Sequence, residues 1–467
     1  MADESKQRVP APDHLKGLRV RVVGFGRSGR AAARLLRREG ARVSAVDDHP
    51  GAADAAEAAR WASDGVDLRA GDLRPEDLDR PDLVVVSPGV PPSSPWMQWA
   101  AEAGVPVIGE LELGARAAKA PLAAITGTNG KSTTTELLGD VVRRWGRPVA
   151  VGGNIGRALS GLADGVPPEG WLVVEVSSFQ LETIDRFRPR VALHLNLTPD
   201  HLDRYGSVDA YADAKARIFE NQGAGDCAVL NLDDPRLAVL ADRLRAARRG
   251  IRVLGSGLSQ RGEEGAWVEG GRIVVGMDGA AWDVCAVDEV RIPGPHNLSN
   301  ALSVAAAARW MGAPREVLED ALRSFSGLPH RMEPLGEVGG VSFVNDSKAT
   351  NIEAVLAALD SFERPVVLIA GGRGKGLDFS PLADAAAGRV KAAVLIGEAA
   401  DPLAEALRPV VRVERAGTLE DAVRQAARHA DPGDTVLLSP ACASFDMFKN
   451  FEDRGDRFRE AVRALKP

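Results

Sequence analysis

The sequence predicts an α/β protein made of three successive strand-and-helix series. Apolar runs of strand length recur along the chain, among them Leu18–Val23, Leu83–Val86, Leu122–Ile125 and Pro365–Ala370. Most of them lead into turns rich in glycine and small polar residues, as parallel strands do on their ligand-binding edge. Two breaks divide the series. One lies near Gly109, the other at Gly327–Glu333, which has the character of a hinge.

The totals limit the class of protein. With 467 residues the chain has room for two to four domains. Its 45% hydrophobic and 26% charged residues are ordinary for a globular protein. A net charge of −7 gives no general attraction to nucleic acid or to an anionic membrane. Three scattered cysteines, Cys227, Cys285 and Cys442, argue against a disulfide framework or a zinc site and fit a reducing compartment. No run approaches the 18 apolar residues of a membrane span, and the first fifteen residues are polar and carry no signal-peptide pattern. A cytoplasmic protein, monomeric by default, is the expectation.

In the first series, Leu18–Val23 is a strand that runs into Gly24-Phe25-Gly26-Arg27-Ser28-Gly29. A helix rich in Ala, Leu and Arg follows to about Glu39. A second strand, Arg42–Val46, ends at Asp47-Asp48. This is a G-x-G-x-x-G turn with an acid 18 residues after its last glycine. Taken alone it points to NAD. Glycines that only let a helix pack close to a strand would look the same, as would a site for another nucleotide diphosphate. The strand Leu83–Val86 then ends in Ser87-Pro88-Gly89, and Val105–Ile108 closes the series.

The second series opens with Glu110–Lys119. It centres on the strand Leu122–Ile125, the turn Gly127-Thr128-Asn129-Gly130-Lys131-Ser132 and a helix over Thr133–Arg144, with Leu137, Leu138, Val141 and Val142 at helical spacing. Strand, Gly-rich turn, lysine, hydroxyl and helix form a phosphate cradle. Backbone N–H groups and the helix end bind phosphate oxygens, Lys131 reaches the β/γ-phosphates and Ser132 takes Mg²⁺. Ile125 stands where the full pattern has its first glycine. Gly152–Gly156 is a loop with little side chain, open to close approach by a ligand. Glu175 sits inside an apolar run, which is costly unless it is paired or bound to metal. Val191–Leu197 delivers Asp200, His201 and Asp203 to a strand end, a set suited to Mg²⁺ or phosphate. A helix over Val208–Asn221 puts Lys215 on the packed face with Tyr211, Ala214 and Ile218, where snorkelling is the ordinary explanation. Residues 250–292 are β-rich, with turns expected at Gly255–Gly257, Glu269–Gly271 and Asp278-Gly279. Pro293–Asn300 opens an alanine-rich helix to Trp310.

The third series has strands at Val341–Val344, Pro365–Ala370, Ala392–Ile396 and Thr435–Leu438. Three of them run into polar segments: Asn345–Asn351, Gly371-Gly372-Arg373-Gly374-Lys375 and Ser439–Asp446.

The segments TGTNGKST, GGNIG, EVSSFQLE, TPDHLDRY, GPHNLSN, GLPHRME, NDSKATN and SPACASFDMFKNFEDRG occur in that order. As an ordered set, covering Gly24 to Gly455, they closely resemble the Mur ligases of peptidoglycan synthesis. Within that family the likeness is to the ligases that add D-glutamate to UDP-N-acetylmuramoyl-L-alanine. The resemblance implies a Rossmann-like UDP-sugar domain at 1–109 and a central P-loop-type ATPase domain at 110–327. It implies a Rossmann-like domain at 328–467 for D-glutamate and part of ATP. It assigns the first glycine turn to a uridine diphosphate, not NAD, with contacts from Arg27, Ser28, Asp47, Asp48, Ser87 and Gly89.

The resemblance also implies a two-step chemistry. The L-alanyl carboxylate attacks the ATP γ-phosphate to give an acyl phosphate and ADP, and the D-glutamate amine then displaces phosphate. Two Mg²⁺ ions, for which Mn²⁺ can substitute, would be held by Ser132, Glu175, His201 and Lys215, the last as a carbamate. Lys131, Glu175, His201 and Lys215 are the implied catalytic set. Gly127, Thr128, Asn129, Gly130, Lys131, Ser132, Thr133, Asn297, Asn300, Arg331 and Asp346 are assigned to ATP. Asn154, Gln180 and His201 go to the UDP-substrate, and Lys348, Thr350, Lys375, Ser444 and Phe451 to D-glutamate. Three other readings compete: a sister ligase for another amino acid or for folate, an NAD-dependent dehydrogenase, and a non-catalytic UDP-sugar binder. The dehydrogenase leaves residues 124–135 and TPDHLDRY unexplained.

Overall fold

A computed structural model describes residues 15–48, 55–247, 249–292, 294–362, 364–374 and 377–465. The chain forms two compact units. The first comprises the residues up to Val290 with His296–Phe325; the second comprises Arg291–Pro295 and the residues from Ser326 on.

The first unit holds two sheets. The amino-terminal one contains β1 (Arg19–Val23), β2 (Arg42–Asp47), β3 (Val66–Ala70), β4 (Leu83–Val86) and β5 (Val107–Gly109), all parallel and ordered β3-β2-β1-β4-β5. The order reverses between β1 and β4, which leaves a crevice at their carboxyl ends. The helices Arg27–Arg38 and Ala55–Ser63 cover one face, with Leu35, Leu36 and Trp61 packed on Val20, Val22 and Val43. On the other face Trp96 and Ala100, from the helix Pro95–Glu102, pack on Val23, Val46, Val84 and Val86.

The central sheet has nine strands: β6 (Leu122–Thr126), β7 (Val149–Gly153), β8 (Trp171–Glu175), β9 (Val191–His194), β10 (Cys227–Asn231), β11 (Arg252–Gly257), β12 (Gly265–Glu269), β13 (Arg272–Met277) and β14 (Ala280–Ala286). Their order is β14-β13-β12-β11-β10-β9-β6-β8-β7, antiparallel only at β12-β13-β14. β6 lies between β8 and β9, so the loop leaving its carboxyl end is flanked by the segments that leave both neighbours.

The second unit is a six-stranded sheet of β15 (Glu333–Val338), β16 (Val341–Asn345), β17 (Val366–Gly371), β18 (Val390–Ile396), β19 (Arg412–Arg415) and β20 (Thr435–Leu438), ordered β15-β16-β20-β17-β18-β19. Only the β15–β16 edge hairpin is antiparallel. Helices cover both faces. Val355, Leu403 and Leu407 pack on Leu368, Leu395 and Leu437, while Val423 and Phe458 pack on Phe343, Val367 and Val436. The architecture is thus three α/β domains with Rossmann-like parallel sheets.

Three local expectations give way to tertiary contacts. Gly255-Ser256-Gly257 lies inside β11 and is no turn, because a Cβ at the facing Gly265 would run into the Gly255 carbonyl and the two strands need that closeness. The helix begun at Val208 ends at Ala216 and tightens into a 3₁₀ turn, Arg217–Phe219, where Arg217 donates to the carbonyls of Leu181 (2.6 Å) and Glu182 (2.7 Å). Glu333, assigned to the hinge, starts β15. All three cysteines are free and buried. Among the described residues no helix is long and apolar enough to cross a membrane.

Gly29 is the tightest point of the first turn. A Cβ there would lie inside contact distance of the Gly24 carbonyl, a backbone atom that cannot swing away. Gly29→Ala is expected to destabilise the protein by about 1–3 kcal/mol, read as a lowered urea midpoint at unchanged slope.

Candidate active site

The phosphate-type loop follows β6. Gly127 and Gly130 have φ of +156° and +81°, a backbone that L side chains rarely adopt, and Gly130 caps the helix Lys131–Arg144. That helix buries Leu137, Leu138, Val141 and Val142, so its amino end is fixed against the loop. Asn196, just beyond β9, holds the loop from the side. Its Oδ1 accepts from the Asn129 N–H (2.8 Å) and its Nδ2 donates to the Asn129 carbonyl (3.1 Å).

Two lysines converge on this loop. Lys131 Nζ donates to the carbonyls of Gly127 (2.9 Å) and Thr128 (2.7 Å). Lys215 Nζ, 1% exposed, donates to the same Gly127 oxygen at 2.8 Å and lies 4.7 Å from the centre of the Tyr211 ring. Burial, reinforced by the charge of Lys131, pulls the Lys215 pKa down to about 7. Lys215 is therefore a buried amine and not a snorkelling one.

Glu175, at the end of β8, is paired in register with Ile125 and is 2% exposed. Its Oε1 accepts from Asn154 Nδ2 (2.8 Å), and its Oε2 is buried without a hydrogen-bond partner. A buried carboxylate oxygen left open beside a phosphate-type loop and the buried Ser132 suits a hard cation that keeps few protein ligands and completes its shell with water or phosphate. Among the described residues no three His, Cys, Asp or Glu side chains come together as a ready-made metal cage. His201 adopts a left-handed backbone (φ +53°), with its N–H on Asp200 Oδ1 (2.8 Å) and its ring 4.8 Å from that of Phe179. Such strain persists only where the surroundings enforce it. Gln180 is buried and closes a capping box with Ser177 (2.9 Å).

Asn297 and Asn300 are buried near the start of the helix Pro295–Met311, and the Asn300 amide abuts Gly130. In the first turn, Asp47 Oδ2 accepts from the Phe25 N–H (2.6 Å) and Ser87 Oγ donates to the Gly24 carbonyl (2.7 Å). These two predicted ligand contacts therefore also shape the turn. Arg27 Nη2 donates to the Asn154 carbonyl (3.0 Å), which links this turn to the residue that holds Glu175. Ser28 is half-buried, and Asp48 and Gly89 are exposed on the same edge.

In the second unit the loops after β16, β17 and β20 share one edge. Asp346 is buried; its Oδ2 accepts from Ser439 Oγ (2.8 Å) and its Oδ1 from the Met332 N–H (3.2 Å), with the charge of Arg331 nearby. Burial pushes its pKa up to about 7. Lys348 Nζ lies 5.9 Å from the centre of the Phe451 ring, Ser444 is buried and Thr350 is exposed. Lys375 lies outside the described residues. Sequence reasoning missed Arg454, which has no exposed surface. Its Nε donates to Ser347 Oγ (2.9 Å), its Nη2 to the Ser347 carbonyl (2.8 Å) and its Nη1 to the Cys442 carbonyl (3.1 Å), tying two loops together. The signal was available, since Arg454 shares helical spacing with Phe458, Ala461 and Val462. Sequence reasoning reads Asn196 only as part of a strand and Tyr211 only as part of a packed helix face; both support the phosphate-type loop.

Comparison with known proteins gives a consistent set of likenesses. Residues 18–109 match the Mur ligase MurD-like N-terminal domain, 125–308 the Mur ligase middle domain and 330–442 the Mur ligase glutamate ligase domain. A UDP-N-acetylmuramoylalanine--D-glutamate ligase from Pelotomaculum thermopropionicum is 46% identical over 96% of this chain and 98% of its own. One from Myxococcus xanthus is 46% identical over 97% and 99%. The fold is shared with the MurF ligase of Thermotoga maritima in complex with ADP (TM-score 0.56, 18% identity, 99% of this chain and 100% of that one).

Asp346 gives a pH-dependent stability with a definite sign. Its folded pKa lies above its unfolded value of 3.8, so the folded state keeps a proton that the unfolded state has released. The contribution is full below pH 3.8 and is lost as pH rises to about 7, at no more than about 1.4 kcal/mol per pH unit. Urea denaturation at pH 5 and pH 8 is expected to show a larger loss in the wild type than in Asp346→Asn, which cannot titrate.

Proposed function

The chain belongs to the Mur ligase family, and from that premise we propose how its residues carry the family's amide-forming reaction. It is an ATP-dependent ligase that adds D-glutamate to UDP-N-acetylmuramoyl-L-alanine in peptidoglycan precursor synthesis. The observation that most supports the residue roles is the convergence of Lys131, Lys215 and Glu175 on the loop after β6.

The reaction begins with like charges: a carboxylate must approach a triphosphate. The loop N–H groups and the positive end of the helix Lys131–Arg144 receive the phosphates. Lys131 exchanges its loop carbonyls for β- and γ-phosphate oxygens, and its charge counters the negative charge that builds there. The L-alanyl carboxylate attacks the γ-phosphorus, the bond to the β-bridging oxygen breaks, and ADP leaves. The D-glutamate amine then attacks the acyl carbon, the nitrogen gives up a proton as the amide forms, and phosphate departs with the electron pair of the broken C–O bond and takes up that proton. Ser132 and Glu175 would hold one Mg²⁺, and His201 and a carbamylated Lys215 would hold a second. Bound there, such ions would supply charge neutralisation at phosphate and carboxylate oxygens.

A lysine with a pKa near 7 is largely unprotonated slightly above neutral pH, which is what reaction with CO₂ requires. Carbamylation replaces its positive charge with a carboxylate-like anion. Arg27, Ser28, Asp47, Asp48, Ser87 and Gly89 bind the uridine diphosphate, and Asn154 and Gln180 the muramoyl-alanyl part. Asn297 and Asn300 contact adenine; Arg331 is assigned to a phosphate and Asp346 to the ribose of ATP. Lys348, Lys375 and Ser444 receive the side-chain carboxylate of D-glutamate, with Thr350 and Phe451 beside them. The three domains divide at Gly109 and Gly327, and the enzyme works as a cytoplasmic monomer.

The direct test is ADP release with ATP, Mg²⁺ and UDP-N-acetylmuramoyl-L-alanine, varying only the amino acid. Release is expected with D-glutamate and not with L-glutamate, L-lysine or meso-diaminopimelate; the reverse pattern would move the chain to a sister step. Lys131→Met is expected to lower kcat by about a hundredfold or more. For the carbamate, Lys215→Ala is expected to be inactive and to regain activity with formate or acetate. Absence of rescue, together with no carbamate carbon signal in ¹³CO₂-equilibrated wild type, would remove Lys215 from the metal site.

A further inference from the structure

The amino-terminal sheet has a feature that the nucleotide chemistry leaves unused. Between β3 and β4 the chain carries only a short 3₁₀ turn, Pro75–Asp77, where a parallel crossover usually places a helix. One sheet face is covered throughout. On the other, the apolar packing of Trp96 reaches Val23 and Val46, toward the carboxyl ends of the strands. The amino half of that face is polar. Strand alternation places Arg21 of β1, Ser44 of β2, and Asp67 and Arg69 of β3 on it. Arg21, Ser44 and Asp67 stand in register across the three strands. A cavity of about 530 Å³ lies over them, lined by five arginines and three aspartates.

Arg21 is the unusual member. It is 4% exposed in the middle of a strand. Its Nε donates to Ser44 Oγ (3.2 Å) and its Nη2 to the Asp79 carbonyl (2.9 Å), while Nη1 is buried with no hydrogen-bond partner. The aromatic face of Trp96 lies 5.8 Å away. Arg19 pairs with Asp82 and Asp67 with Arg69, while Asp79 and Asp67 attract Arg21 through space without ion-pair contact. Among the described residues no carboxylate is in ion-pair contact with Arg21. A buried cation without a direct ion-pair partner is costly; burial and then the like charge of Arg69 pull the Arg21 pKa down, and the more distant Asp79 and Asp67 offset only part of that.

We propose that this cavity binds a small anionic metabolite, with its phosphate or carboxylate group seated on Arg21 and Ser44 Oγ. A guanidinium presents planar paired donors that suit either oxyanion, and the volume is that of a small-molecule pocket. The lining aspartates accept from hydroxyl or ammonium groups elsewhere on the ligand. The site lies toward the amino ends of the strands, away from the Gly24–Gly29 turn, and does not depend on the proposed ligase roles.

The test is titration calorimetry on the full chain with UDP and Mg²⁺–ADP present at saturation, so that the other phosphate-binding regions are filled. Inorganic pyrophosphate and succinate are the probes, and the one that binds names the anion class. Saturable binding of at least one is expected. Arg21→Met, which keeps the stem and removes the charge, is expected to weaken it about tenfold or more. Ser44→Ala and Arg69→Gln, at less buried positions, are expected to weaken it by smaller factors and serve if Arg21→Met does not fold. No saturable binding of either probe, or binding that the folded variants retain unchanged, overturns the proposal.

Discussion

One carbonyl oxygen, that of Gly127, accepts from the Nζ atoms of two lysines, and the first unit is arranged to keep that costly meeting in place. Two positive charges on one acceptor, at a helix amino terminus that is itself positive, would repel each other in a region poor in water, and the Lys215 pKa falls to about 7. The position of β6 between β8 and β9 places an acid on one side and the Asn196 clamp on the other. The helix Val208–Ala216 drives Lys215 inward between Tyr211 and the loop. Loss of the Lys215 proton relieves part of that repulsion, and an arriving anion relieves the rest; the triphosphate and the reacting carboxylate are anions the reaction delivers.

Much of this was legible in the sequence, because the features concerned are local. Strand-length apolar runs, the glycines of two turns and the helical spacing after Ser132 follow from short-range geometry. The inward face of Lys215 was readable from Tyr211, Ala214 and Ile218 alone. What the sequence could not supply were contacts between distant segments. Asn196 holds Asn129 across 67 residues and Arg454 reaches Ser347 across 107. Nothing in the local pattern around Gly255 announced that β11 must let Gly265 approach. The double role of Asp47 and Ser87, shaping the turn they were expected to serve, was equally invisible.

The second unit repeats the same logic with different atoms. A buried guanidinium, Arg454, satisfies carbonyls from two loops that have no regular partners of their own, so those loops are fixed without being helix or strand. Asp346 is held beside it by Ser439 and a backbone N–H. Loops fixed in this way hold their hydrogen-bonding groups in place, and a misplaced donor weakens a charge-assisted bond.

The three buried cysteines carry a practical consequence. Burial lifts the thiols of Cys285 and Cys442 to about 11 and that of Cys227 higher still, so almost none is thiolate at neutral pH. The thiolate is the form that alkylating and oxidising reagents attack. A cysteine introduced on any exposed helix would therefore be the one reactive sulfur in the folded chain. Fluorescent or spin labels can then be attached at a chosen point without first stripping the natural thiols from the core.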